Sequence, residues 1–129
     1  MKLASVEKFI RLEKEIASER GGFALFGLFT REGSPHWWDL IIAAPWPESR
    51  SEAVEYVVGE IKSRLGSEEF MNLSRIVFIN PADPSVQEIN KIIRVEHGSA
   101  ELRDYIFAEV PIEHAYIITS QSLEPSGAT

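Results

Sequence analysis

The chain has no cysteine. That excludes disulfides, thiolate zinc sites, iron–sulfur clusters and cysteine nucleophiles together, and leaves packing to hold the fold. Basic residues are also in deficit: 13 Lys and Arg stand against 20 Asp and Glu, a formal net charge of −7. A dedicated nucleic-acid binder needs clustered cations to displace counterions from phosphates. Here the basic residues are scattered, mostly close to a carboxylate, and no nucleic-acid partner is expected. No apolar run approaches the roughly 20 residues that span a bilayer, so no membrane partner is expected either. Residues 1–8 lack the unbroken apolar core of a signal peptide, and a reducing cytoplasm is the simplest setting. Phosphate-binding loops, dinucleotide fingerprints, nucleophile elbows and His-Glu-x-x-His are likewise missing. No cofactor is expected.

What remains is a chain of 129 residues, 44% of them hydrophobic, long enough for one core and too short for two. Residues 4–20 read as an amphipathic helix, with Val6, Phe9, Ile10, Ile16 and Ala17 at helical spacing, closed by Gly21 and Gly22. Residues 23–30 are apolar on both faces and read as a central strand. A turn through Gly33-Ser34-Pro35 leads to a second strand over 36–44, and the short connection favours an antiparallel hairpin. Ser49 and Glu52 form a capping-box pattern ahead of Val54, Val57, Val58, Ile61 and Leu65, with Gly66 at the end. Residues 67–73 have room for one short helical turn.

Residues 75–79 are a third strand, followed by Asp83-Pro84, an N-cap with proline at the first helical position, and a helix facing inward through Val86, Ile89 and Ile93. Alternation after Glu101 predicts two last strands meeting around Pro111. The order αββαβαββ implies one α/β domain over residues 1–120, a mixed sheet of about five strands with helices packed on it. Residues 121–129 are expected to form a flexible tail.

Candidate chemistry is sparse. Leu25-Phe26-Gly27-Leu28, an apolar strand carrying Asp39-Leu40-Ile41-Ile42, and a helix after it resemble the start of the minimal nucleotidyltransferase fold. The resemblance implies a Gly-Ser pair holding nucleotide phosphates and an Asp-x-Asp pair holding magnesium. Leu28 stands at the serine, and Asp39 alone fills the carboxylate pair, with Trp37 or Ile41 at the other position. For an enzymatic reading the candidate catalytic residues are Asp39 and His36.

The three histidines, His36, His97 and His114, are candidate metal ligands together with Asp39, because imidazoles and a carboxylate suit zinc or iron. No spacing ties any two of them together. Trp37, Trp38 and Trp46 are candidates for an interface or pocket: neighbours on a strand face opposite ways, so Trp37 and Trp38 cannot share one core face. The expected function is a small non-catalytic interaction or regulatory domain that self-associates, as a homodimer through the aromatic hairpin or an edge strand, with a further protein partner conceivable. The alternative is a ligand-binding or enzymatic domain, either nucleotidyltransferase-like or built on a His/Asp metal site.

Overall fold

Helix α1 (Leu3–Arg20) buries Val6, Phe9, Leu12 and Ile16 on one stripe, the spacing that gives a helix one apolar face. Ile10 and Ala17 lie only half-buried at its margin. The helix ends where Gly21 takes a φ of 122° and its N–H bonds back to Ala17 O at 2.9 Å. The computed structural model describes residues 2–123 of the chain. Strands β1 (Leu25–Arg31) and β2 (Trp38–Ala43) follow as the expected antiparallel hairpin.

Helix α2 (Arg50–Arg64) starts at Ser49, whose Oγ accepts the Glu52 N–H at 3.4 Å, and buries Ala53, Val57 and Ile61. Gly66, at φ 102°, closes it and opens the short α3 (Ser67–Met71). Strand β3 (Leu73–Ile79) runs parallel to β2, so α2 and α3 form the crossover. Helix α4 (Pro84–Ile92) has Asp83 as its cap, accepting the Ser85 N–H at 2.9 Å, and Pro84 at its start. Strands β4 (Ala100–Phe107) and β5 (Val110–Ser120) complete an antiparallel pair. Among the described residues the five strands form one mixed sheet in the order β3-β2-β1-β5-β4, the expected α/β architecture. No helix among them is long and apolar enough to cross a membrane.

The last hairpin turns at Ala108 and Glu109, not around Pro111. Both turn residues have positive φ, 50° and 67°, between the paired Phe107 and Val110. A two-residue turn of this hand ordinarily uses Asn-Gly or Gly-Gly; Ala-Glu carries no such signal, and each residue there costs on the order of 1–2 kcal/mol in the left-handed region. Pro111 lies inside β5 opposite Ile106. Of the expected tail 121–129, Gln121 donates to Phe23 O at 3.1 Å and Leu123 packs on the second core cluster. Residues 124–129 lie outside the described residues.

The two sheet faces are covered unequally. Phe26, Leu28, Trp38, Leu40, Ile42 and Phe78 point to a first face, where they pack with Phe9, Leu12 and Ile16 of α1 and Val57 and Ile61 of α2. Leu25, Phe29, Ile41, Ala43 and Ile117 point to the second, where Val86 and Ile89 of α4 and Phe107 and Ile112 of the last hairpin meet them. Fully burying a side chain of this size is worth roughly 2 kcal/mol, so α4 is well anchored despite its nine residues. Over β2 and β3, however, part of the second face stays half-open: Val77 and Ile79 are only partly buried.

Candidate functional site

The half-open part of the second face is built by three adjacent strands. Their register sets Phe29 beside Asp39 and Asp39 beside Arg75. Side chains alternate along a strand, so Arg31, two residues past Phe29, reaches the same face. Arg31 Nε lies 3.1 Å and Arg75 Nε 3.2 Å from Asp39 Oδ2. Two guanidiniums thus converge on one carboxylate oxygen. The other, Oδ1, is buried and has no hydrogen-bond partner among the described residues. Asp39 is 2% exposed, while the side chains of Arg31 and Arg75 are 37% and 50% exposed. A buried acceptor left unpaired costs about 1–3 kcal/mol.

Beside this triad lies a cavity of about 110 Å³, floored by Phe29, Ile41 and Val77 and walled by the hairpin residues Phe107, Val110 and Ile112. Gly27 shapes its floor from beneath. A Cβ there would stand 2.8 Å from the Phe29 ring and 3.1 Å from Ile117 Cδ1, so the glycine lets the Phe29 ring lie back along its own strand. That ring then meets Phe107, centroids 5.1 Å apart, and holds the hairpin tip against the site. Gly27, which the nucleotidyltransferase resemblance sets at a strand end, lies inside β1 between Ile41 and Ile117. Asp39 has two arginines as its partners, an environment that disfavours a further cation.

The candidate ligand residues are held apart. His36 is exposed in the turn before β2 and makes no hydrogen bond or ion pair with Asp39. His114 Nε2 bonds Glu101 at 2.7 Å, on the first face. His97 Nδ1 lies 2.5 Å from Glu13 Oε1, under α1. The histidines therefore do not converge: His97 and His114 are held by different carboxylates on different elements, and His36 lies apart in the exposed turn. Among the described residues no group of three or more His, Asp and Glu is placed to hold a metal ion.

The tryptophans divide as well. Trp38 is core: the even positions of β2 face the helices, and its ring stacks on Tyr116 at 5.5 Å. Trp37 is 55% exposed. Trp46 is half-buried, meets Phe23 edge-on at 5.9 Å, and lines a surface cleft of about 280 Å³ with Arg20, Ser49 and Tyr56.

Three functional or structural charges escaped sequence reasoning. Arg31 reads as the start of a turn and Arg75 as the polar edge of an apolar run; the β1–β2 register brings the first to Asp39 and the β2–β3 register the second. Glu13 was legible in principle. Phe9, Leu12, Glu13 and Ile16 form a continuous i, i+3, i+4, i+7 stripe, and a carboxylate on such a stripe requires buried partners. It has them: Thr119 Oγ1 donates to Oε2 at 2.8 Å and itself accepts the His97 N–H at 3.1 Å. Burial holds Glu13 above the ordinary carboxylate value, opposed by its hydrogen bonds with His97 and Thr119.

No family model matches the chain, and neither a curated protein nor a solved structure matches it significantly.

Proposed function

We propose that this chain is a non-catalytic binding domain whose site is the half-open second face of the sheet. The observation that carries this reading is Asp39 Oδ1, buried and unpaired beside an apolar cavity and two half-exposed guanidiniums. Native folds satisfy buried polar atoms in the great majority of cases, and an exception calls for an occupant or a function. The lining favours recognition: it holds Arg, Asp and apolar residues, and its one carboxylate, Asp39, lies between two guanidiniums, an arrangement suited to binding an anion. A thermal-shift screen of small fragments tests it. Compounds that occupy the cavity raise the midpoint of the native chain, and Val77→Phe, a half-buried edge-strand change that fills the cavity, removes the shift. Hits that stabilise both proteins equally place the binding elsewhere and reject the site.

Self-association is a second reading, favoured by the exposed Trp37 at the tip of the β1–β2 hairpin. A dimer through that tip doubles the mass read by light scattering and reverts to monomer in Trp37→Glu. A concentration-independent monomer removes this reading and leaves the first intact.

A further inference from the structure

Resting on that reading of the site, we infer that its ligand is a short aliphatic α-hydroxy acid, bound by its carboxylate to Arg31 and Arg75, by its hydroxyl to Asp39 and by its chain to the apolar floor. Three features of the cavity each restrict the ligand. The first is charge. Two guanidiniums face one carboxylate, a local excess of one positive charge in a partly buried place, and a monoanion balances it. The Nε atoms of both arginines lie beside Asp39 Oδ2, that of Arg31 without a hydrogen bond of its own, so guanidinium N–H groups remain to bind a carboxylate.

The second feature is the unpaired acceptor, Asp39 Oδ1. It needs a donor close to the ligand's carboxylate, and a hydroxyl on the adjacent carbon supplies one. An ammonium there would also donate, but it would bring a third cation beside two guanidiniums. The neutral hydroxyl is the better match, and it distinguishes this ligand from an α-amino acid. Oδ1 is sealed in the structure, so entry requires an arginine to move. Arg75, half-exposed on the edge strand β3, is the side chain free to swing outward.

The third feature is size and polarity. About 110 Å³ bounded by Phe29, Ile41, Val77, Phe107 and Ile112 is well below the roughly 300 Å³ at which pockets for drug-sized ligands begin. It takes a branched chain of a few carbons and excludes nucleotides and large cofactors.

The test is a titration of methyl-labelled protein with four compounds of one carbon skeleton: α-hydroxyisocaproate, isocaproate, leucine and isohexanol. Shifts are read at Ile41, Val77 and Ile112. The hydroxy acid should bind best. Isocaproate, lacking the donor for Asp39, should bind about tenfold more weakly, the loss of one hydrogen bond, and isohexanol should not saturate. Arg75→Gln, on an exposed position that leaves the core untouched, should weaken the hydroxy acid at least about tenfold while its methyl spectrum stays dispersed. Equal or tighter binding of leucine, isocaproate or isohexanol overturns the ligand class and leaves the binding site standing. If none of the four compounds moves the cavity methyls, while the fragment screen still yields hits that Val77→Phe abolishes, this ligand class is likewise rejected. Silence in both experiments rejects the site itself.

Discussion

Glu13, under α1, has both carboxylate oxygens occupied: His97 Nδ1 lies 2.5 Å from Oε1, and Thr119 Oγ1 donates to Oε2 at 2.8 Å. Asp39, on the opposite face of the same sheet, has Oδ2 shared by two arginines and Oδ1 unpaired. The two are equally hidden from water, at 0% and 2% exposure. The partners differ more than the carboxylates do. Thr119 is fully buried and the His97 side chain is 27% exposed, so the partners of Glu13 lie deeper than those of Asp39. Arg31 and Arg75 keep their ends in solvent and can leave. Burial alone therefore does not separate a structural carboxylate from a binding one. What separates them is whether the partners have somewhere else to go.

Substitution should break the two sites unequally. Glu13→Ala strands the Thr119 hydroxyl and the inner edge of His97 and leaves a void under α1; it is expected to cost about 3–4 kcal/mol. For a chain of this length that lowers the melting temperature by on the order of 10 °C. Asp39→Asn preserves shape but removes the counter-charge of two arginines; because their side chains are 37% and 50% exposed and can turn to water, the expected loss is about 1–2 kcal/mol, between an exposed and a fully buried pair. Urea unfolding of the two variants beside the native chain measures both. A loss for Asp39→Asn equal to that for Glu13→Ala would make the Arg31–Asp39–Arg75 triad a structural element and remove the contrast on which the proposed site rests.

The same contrast explains what could be read from residues alone. Signals that act over a few positions were plain: Ser49 and Glu52 start α2, Asp83-Pro84 starts α4, and Gly21 and Gly66 stop helices. Asp39 stood out as the lone charge in otherwise apolar central strands. Its partner Arg75 did not, because the two meet only through the parallel β2–β3 register, a relation set by the whole sheet. Glu13 lies among Glu7, Glu15 and Glu19 on one helix, and its partner His97 is 84 residues away; only its place on the apolar stripe marks it. The β4–β5 turn was misplaced for another reason: Ala108 and Glu109 have no preference for positive φ, and the strand pairing on either side imposes it.

The subtlest difference between the two carboxylates should appear in the pH dependence of stability. Burial raises the Glu13 pKa above its reference value of 4.5, the nearby Glu96 adds to the rise, and His97 and Thr119 oppose it. A native state that holds a proton more tightly than the unfolded chain is favoured at low pH. The contribution of Glu13 is therefore fully present below about pH 4.5, the reference value, and is lost as pH rises through its native-state value. Glu13→Gln cannot titrate and serves as the reference. The stability of the native chain minus that of Glu13→Gln, from urea midpoints across pH 4 to 7 at constant slope, should fall as pH rises and then level off. A difference that instead grows with pH would show that the contacts with His97 and Thr119 outweigh burial. Glu13 would then be held as an anion by its partners, and the distinction from Asp39 would rest on the mobility of those partners alone.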